Sequence, residues 1–449
     1  MLDLQTEGEG GVLPMRKTII AICALLMFTA AAAADNYYID SRDRNASDSG
    51  PGSRRIPWKS LGVVDRHAFH PGDVVYFARG STYEGGFVVR DSGTLSHPIT
   101  FTSYGSGRPP SLTNPNPNFL NGNVVQIRGR YIIVDGFYFH DGAQSSSAKD
   151  EDVLKTGDVF IAKGADHNTI KNSEVKNSPV GFHVCGQFCL ITHNHLHDCN
   201  RILAGGDGAG GGSWGPIAII VSNSYNEISY NRITNYVSLG GKYGADGGAL
   251  EFDPRIYGDA IHDVKIHHNY SYGNEGFLEV TQAQDRIWVN YNVSNDYQEF
   301  ILLWQGHDWF VENNTVLRIL PKNSVTDVVF AFKGNNTTIR NNIFVVSSGR
   351  KVFSDNGTKV YGNANYAGQK HYNNIYFSVD LSEKDPSGLP LAPGEMIIDP
   401  RFADYAKGDL HLKPGSPAID AGYKNGLSRD FDDHPVPVGE APSIGAYEF

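Results

Sequence analysis

The sequence predicts an all-β protein built as a single-stranded right-handed parallel β-helix, a solenoid with capped ends. A short piece recurs seven times, in which Ile or Val opens four residues that carry Asn. The pieces are residues 170–173, 191–194, 228–231, 266–269, 289–292, 311–314 and 339–342, and their last residues are 21, 37, 38, 23, 22 and 28 positions apart. A basal step of roughly 22 residues is typical of a solenoid. Apolar residues alternate with period two, which excludes helical repeats.

The recurring Asn predicts the corners of the solenoid. Asn tolerates left-handed backbone geometry better than most residues. Stacked Asn side chains can also hydrogen-bond to one another along a column of equivalent positions. We therefore expect each piece to form a corner that lies directly above the same corner of the preceding turn.

Length and composition agree with one solenoid. A solenoid accommodates 449 residues as a single body. The 50 glycines suit tight turns, and the charged fraction of 19% argues against disorder. The net charge is -11, and no basic cluster is longer than a pair, which argues against nucleic acid as a partner. We expect a monomer.

The N-terminus predicts export. Met15, Arg16 and Lys17 form a basic segment, residues 18–28 are apolar, and residues 30–34 offer a small-residue cleavage site. The apolar run is too short to span a bilayer, so no stable membrane insertion is expected. Residues 1–14 are acidic and unlike a signal peptide, so Met15 is the expected start. The mature protein is predicted to be secreted or periplasmic.

Three cysteines remain after such a cleavage: Cys185, Cys189 and Cys199. An oxidising compartment favours disulfide formation. We expect one disulfide, between Cys189 and Cys199 on neighbouring turns, and one free thiol.

Both ends carry motifs of a known kind. Near the N-terminus these are residues 37–41, 58–61 and 71–77, and near the C-terminus residues 399–402, 412–422 and 444–449. They resemble the cap and closing segment of secreted right-handed parallel β-helix carbohydrate-active proteins, the pectate-lyase-like superfamily. The resemblance implies a fold and export. It does not imply one reaction, because the same scaffold carries lyases, hydrolases, epimerases and non-catalytic adhesins.

The predicted organisation has four parts. Residues 1–34 form a leader, 35–140 the N-terminal cap and first turns, 141–385 the central β-helix with the active-site cleft, and 386–449 the closing segment.

Strand alternation places two glutamates together. Leu250 and Phe252, Leu278 and Val280, and Phe330 and Phe332 are predicted to face inward. Glu251 and Glu279 then face outward in one column on adjacent turns, with Asp253 one column away. Adjacent strands lie about 4.8 Å apart. Mutual repulsion should keep one carboxyl group protonated to unusually high pH, which is the property of a general acid.

Two insertions precede the strands that build this column. Steps of 37 and 38 residues contain Gly-rich segments that carry Trp214 in the first and Lys242, Tyr243 and Asp246 in the second. Long loops at one place on a regular scaffold are often functional. Asp246 is a further catalytic candidate, or the residue of an Asx turn. The predicted substrate-binding residues are Trp214, Tyr243, Lys242, Arg255, His307, Trp309 and Gln305, among which aromatic faces would stack on sugar rings.

These residues support two hypotheses, both with a polysaccharide or oligosaccharide as the partner. A glycoside hydrolase needs no metal or cofactor. Carboxyl groups about 5–5.5 Å apart suit retention of configuration, and a wider pair with Asp246 or Asp253 would suit inversion. No basic residue shares the columns beside the two glutamates, which favours hydrolysis.

The alternative is a lyase that acts on a uronate polymer. Glu251, Asp253 and Glu279 would then bind Ca²⁺. Arg255, Lys242, Tyr243 or His307 would be the base. A uronate epimerase and a non-catalytic glycan-binding solenoid are less favoured.

Overall fold

Short parallel strands stack turn upon turn into three sheets, which is the parallel β-helix that the sequence predicts. The structure is a computed structural model, and it describes residues 34–143, 155–204, 213–241, 244–254, 260–323, 328–332, 334–354 and 366–449. These residues belong to one unit, Ala34–Phe449.

Each full turn of the chain contributes a strand to sheet 1, then to sheet 2, then to sheet 3. Sheet 1 contains Phe87–Val89, Val125–Ile127, Val159–Ile161, Val180–Val184, Ile217–Val221, Gly248–Phe252, the first parts of Leu278–Asn290 and Ile301–Glu312, and Phe330–Phe332. The two long strands continue without a break into sheet 2 and so join the two sheets.

Sheets 2 and 3 form the other two faces. Sheet 2 contains Asn36–Ile39, Val74–Ala78, Ile99–Tyr104, Ile132–Asp135, Thr169–Lys171, Leu190–Thr192, Glu227–Ser229, Ile261–His267, the later parts of the two long strands, Thr338–Arg340 and Lys370–Tyr372. Sheet 3 contains Thr82–Glu84, Ser111–Thr113, Tyr138–His140, Glu174–Lys176, His195–Cys199, Arg232–Tyr236, Tyr270–Tyr272, Val293–Asn295, Thr315–Arg318, Ile343–Val346, Ile375–Ser378 and Met396–Ile397.

Inward side chains from the three sheets fill the interior. Leu250, Phe252, Leu278, Val280 and Phe330 are all buried in one apolar core, as alternation predicts. The side chain of Phe332, predicted to face inward, lies outside the described parts.

A ladder of buried asparagines runs along the corner between sheets 2 and 3. Each amide nitrogen donates to the amide oxygen of the next Asn at 2.9 to 3.0 Å, from Asn194 through Asn231, Asn269, Asn292, Asn314 and Asn342 to Asn374. The predicted bonding along a column is therefore confirmed. The left-handed residue is the one before each ladder Asn, such as His193 or Tyr291. The residue with left-handed backbone and the ladder Asn thus occupy neighbouring positions in each corner.

Elements outside the three sheets cover the ends and one side. The α-helix Leu61–Arg66 lies near the first turns, and 3₁₀ segments occur at Leu120–Gly122 and Tyr405–Lys407. None of the helices in the described ranges is long and apolar enough to cross a membrane. The hairpin of Phe402–Asp404 and Asp409–Leu412 belongs to the closing segment.

The closing segment packs on the outward face of sheet 3. Phe402, Leu410 and Tyr447 form a second apolar cluster with Val293 and Ile343. The segment therefore covers the side of the later turns.

Cys189 and Cys199 are free and buried, so the predicted disulfide between them is wrong. Cys189 directly precedes a strand of sheet 2, and its thiol faces the backbone oxygens of Ala165 and Gln187. Cys199 lies at the end of a sheet 3 strand, opposite Tyr236. The two cysteines belong to one turn, not to neighbouring turns as predicted, and they lie on different faces of it.

We predict that Asn292→Ala destabilises the protein strongly, because it removes the acceptor for Asn269 and leaves buried groups unpaired. Each such group costs about 1–3 kcal/mol. The free energy of unfolding in urea, followed by circular dichroism, measures the effect. Asn118→Ala is the control, since Asn118 is exposed, and its expected change is within about 0.5 kcal/mol. Equal effects of the two substitutions would contradict a stabilising ladder.

We predict three reactive thiols per chain when residues 35–449 are denatured without reductant. The reason is that Cys189 and Cys199, the predicted disulfide partners, are both free thiols in the fold. A colorimetric thiol assay gives the count, and the same sample after reduction is the control. One reactive thiol before reduction and three after it would show that a disulfide is present and would contradict this prediction.

Candidate active site

Glu251 and Glu279 lie directly opposite each other on adjacent strands of sheet 1, as the sequence predicts. Both face away from the core, because their neighbours along each strand are core residues. Glu251 is nevertheless only 6% exposed, whereas Glu279 is half-buried. Ile220 precedes the pair in the column and Leu302 follows it. Two carboxyl groups thus share a site that apolar residues border on both sides.

A neutral histidine lies in this column two turns before Glu251, and a buried aspartate lies two residues after Glu251. His183 is paired with Ile220, one turn before Glu251. His183 Nδ1 donates to the Thr156 carbonyl oxygen at 3.2 Å, and Nε2 accepts from Ser222 Oγ at 2.9 Å. Burial lowers the pKa of His183 to about 4, although the charge of Asp253 opposes the shift. Asp253 itself is completely buried, so it borders the pair without an exposed surface.

Asp246 connects the two insertions that were predicted from the sequence. It ends the hairpin of Ser238–Gly241 and Gly244–Asp246. Its Oδ2 accepts from the Gly215 backbone nitrogen at 2.9 Å, and its Oδ1 accepts from that of Gly247 at 2.8 Å. Burial raises the pKa of Asp246, and these two hydrogen bonds oppose the shift. Both carboxylate oxygens are engaged by backbone, which favours the Asx-turn interpretation over a catalytic one.

A second outward column runs beside the glutamates and contains two glycines. Ile217 pairs with Gly248, and the same register places Gly276 after Gly248 and Glu299 after Gly276. A Cβ added at Gly276 would lie 2.4 Å from Glu299 Oε1. The Glu299 side chain therefore extends back over Gly276, toward the turn that carries Glu279. The sequence analysis did not select Glu299.

Glu275 adds another buried carboxyl group next to Gly276. Its Oε2 accepts from Asn323 Nδ2 at 2.6 Å, and its Oε1 accepts from Gln298 Nε2. Burial raises the pKa of Glu275 to about 7, and the charge of Asp246 adds to the shift. Burial likewise raises the pKa of Glu299 to about 7, helped by Glu275. Two carboxyl groups beside the predicted pair thus gain or lose protons near neutral pH.

Two predicted ligand residues lie away from the glutamate pair. Trp309 is completely buried in the core, where its Nε1 donates to the Gln284 carbonyl oxygen at 3.1 Å, so its predicted contact with a sugar ring is wrong. His307 is exposed, and it pairs with Asp285 at 3.1 Å and Asp308 at 3.0 Å. It lies five residues beyond Leu302 on one continuous strand, which is roughly 16 Å along the chain. Its contact with a ligand stays a prediction.

The structure describes the remaining predicted contact residues only in part. Gln305 is exposed on the long strand, opposite Ala283. The backbone of Trp214 pairs with Leu203 in a short hairpin, and its side chain is outside the described parts. Residues Lys242, Tyr243 and Arg255 also lie outside the described residues.

The lyase hypothesis assigns Glu251, Asp253 and Glu279 as ligands of Ca²⁺. Among the residues that the structure describes, no three His, Cys, Asp or Glu side chains are grouped so that they could hold a metal ion. Glu251 and Glu279 lie opposite each other, and Asp253 is completely buried.

No protein-family model and no curated protein sequence matches this chain. Solved structures do resemble it. A rhamnogalacturonan lyase has a TM-score of 0.55 at 15% identity and covers 85% of this chain and 94% of its own. XylC in complex with xylose has a TM-score of 0.56 at 13% identity, with 92% and 98% covered. The pectate lyase Pel9A has a TM-score of 0.52 at 14% identity, with 92% and 96% covered.

These identities are low, so the likeness concerns the fold alone. The chain has the parallel β-helix fold of β-helix carbohydrate-active proteins, and the resemblance at its two ends is confirmed at that level.

We predict that Asp246→Ala loosens the two insertions, because the amides of Gly215 and Gly247 lose their acceptor. Hydrogen exchange measured by mass spectrometry should become faster in peptides that contain these two glycines. Asp246→Asn should have a smaller effect, since one amide oxygen can still accept a hydrogen bond. Unchanged exchange in Asp246→Ala would mean that the carboxylate does not hold the loops.

Proposed function

We propose that this protein is an exported enzyme that hydrolyses glycosidic bonds of a polysaccharide or oligosaccharide. The observation that carries the proposal is the register pair Glu251 and Glu279 on the outward face of sheet 1. Hydrolysis needs one protonated carboxyl group for the leaving oxygen and one ionised group near the anomeric carbon. The pair and its buried neighbours bring several carboxyl groups to one place.

The surroundings support a carbohydrate ligand. One protein of similar fold was solved with xylose, and two others are named as lyases of pectic type. Trp214, Lys242, Tyr243 and Arg255 adjoin the glutamate strands in the sequence, and Gln305 is exposed on the strand that follows them. We propose these residues as the binding surface for sugar rings, which stack on aromatic side chains and hydrogen-bond to polar ones.

The competing proposal is β-elimination on a uronate polymer. It is supported by the lyase names of two proteins of similar fold. Elimination needs a cation to neutralise the substrate carboxylate and a base to remove the C5 proton. The predicted basic residues Lys242 and Arg255 are the candidates on this chain. The carboxyl groups around Glu251 and Glu279 favour hydrolysis, because they supply proton donors.

We predict that Glu251→Gln and Glu279→Gln each lower kcat by about 10²–10⁴-fold, because each removes a carboxyl group that acts in the transition state. A panel of polysaccharides, assayed for reducing ends and for absorbance at 235 nm, identifies the substrate and the reaction. Hydrolysis produces reducing ends alone, whereas elimination also produces an absorbing unsaturated product.

The matched control is Glu84→Gln, which changes an exposed carboxylate on sheet 3. It should retain wild-type activity. Circular dichroism should show that all three variants are folded, because none of the side chains faces the core. Near wild-type activity of both site variants on the true substrate would refute this assignment of the site.

A further inference from the structure

The two outward columns of sheet 1 are in side-chain contact with each other. Ile217 and Ile220 pack in one small apolar cluster, and Val328 packs with Ala331 in another. Val180 completes the first cluster and Leu302 the second, so each cluster joins a residue of the second column to the glutamate column. The same spacing relates Gly248 to Glu251 and Gly276 to Glu279. The space above each glycine is therefore next to a glutamate.

Glu299 fills one of these two spaces. Its Oε1 would be 2.4 Å from a Cβ at Gly276, whereas a Cβ at Gly248 would meet only the Gly276 carbonyl group, with its oxygen at 3.4 Å and its carbon at 4.0 Å, among the described residues. The carboxyl group of Glu299 thus lies over Gly276, three residues before Glu279 on the same strand register. Glu251, Glu279 and Glu299 belong to three successive turns of this face.

The surroundings of Glu299 favour its neutral form. The residue is 6% exposed, and its Oε2 has no hydrogen-bond partner among the described residues. The next position in its column is Val328, so its neighbour on that side is apolar. Arg318 is the cation that lowers the pKa of Glu299, but burial and Glu275 outweigh it. A carboxyl group that is buried without a full set of partners holds its proton.

We propose that Glu299 is the carboxylic acid that protonates the leaving oxygen, with the Glu251–Glu279 pair supplying the ionised carboxylate. The proposal rests on the hydrolysis proposed above. As the bond from the anomeric carbon to the glycosidic oxygen breaks, its electron pair goes to that oxygen, which takes the proton of Glu299. Water then supplies the hydroxyl group on the anomeric carbon, and its other proton returns to Glu299.

Gly276 has a defined part in this arrangement, because only a residue without Cβ leaves room for the Glu299 carboxyl group. The sequence repeats Gly-x-Leu-Glu at 248–251 and 276–279, and the next turn reads Glu299, Phe300, Ile301, Leu302. In this turn the glutamate therefore occupies the first position of the motif, and Leu302 occupies the fourth. The Glu299 side chain can then lie over Gly276, in the turn that carries Glu279.

We predict that Glu299→Gln lowers hydrolysis of the natural substrate by about 10²–10⁴-fold. The alkaline limb of its pH profile should disappear, because the group that must stay protonated is gone. A 2,4-dinitrophenyl glycoside of the same sugar should restore most of the rate, since its leaving group needs no proton. Glu279→Gln should not be rescued by that substrate. A wild-type alkaline limb in Glu299→Gln would overturn the proposal.

The second measurement does not depend on turnover. Carbon NMR of protein labelled at the glutamate carboxyl carbons should show one signal, absent in Glu299→Gln, that titrates near pH 7. Gly276→Ala should shift that titration, because the new methyl group displaces the carboxyl group. Gly248→Ala adds the same methyl group one turn away and should leave the titration unchanged. An ordinary pKa for Glu299 would also overturn the proposal.

These outcomes separate the two proposals. If the wild-type protein releases reducing ends but Glu299→Gln keeps its rate and pH profile, hydrolysis stands and the role of Glu299 is wrong. If the panel shows unsaturated products or no cleavage, the hydrolysis proposal fails. Should Glu299→Gln fold poorly, Gly276→Ala provides the same test with the carboxyl group retained.

Discussion

The asparagine ladder is the interaction on which the positions of all the other groups depend. Each ladder Asn both donates to its neighbour and accepts from the backbone nitrogen of the preceding ladder Asn, as Asn292 does between Asn269 and Asn314. A register slip of one residue would turn every side chain of a strand to the opposite face. The ladder opposes such slips at every turn. It thereby holds Glu251 opposite Glu279, far from the corner at which the Asn side chains lie.

Sequence periodicity predicted those features that a period of two and a step of about 22 residues determine. These are the parallel β-helix, the inward rows and the opposition of Glu251 and Glu279. It could not predict that residues 301–312, which contain Gly306 and the left-handed Asp308, form one continuous strand from sheet 1 into sheet 2. Trp309 was therefore assigned to a ligand although it lies in the core. Glu299 was not selected, because it precedes this strand.

The cysteine prediction failed for a related reason. Proximity in sequence says nothing about which face a residue occupies, and Cys189 and Cys199 occupy different faces of one turn. The two insertions were predicted correctly as interruptions of the period, but their connection was not. Asp246 joins them through backbone nitrogens, and such contacts have no signature in the spacing of residue types.

The electrostatics of the site oppose folding. A group whose pKa is raised in the folded state, from 4.5 to about 7 for Glu275 and Glu299, stabilises the fold at low pH. That stability is lost as pH rises through 7. His183 acts in the opposite direction, because its pKa of about 4 in the fold lies below its usual 6.5. Its contribution is present above pH 6.5 and is lost as pH falls toward 4. Above pH 6.5, of these three groups, only Glu275 and Glu299 still change the free energy of unfolding with pH. They lower it as the pH rises.

Neither the core nor the ladder needs these carboxyl groups. Val180, Ile217 and Ile220 show that apolar residues fit the same outward columns on neighbouring turns. An acid in such a position costs stability without improving packing. A buried group of raised pKa that the fold does not require, as Glu299 is, is characteristic of chemical sites. The occurrence of Glu251, Glu279 and Glu299 on three successive turns therefore supports the proposed reaction.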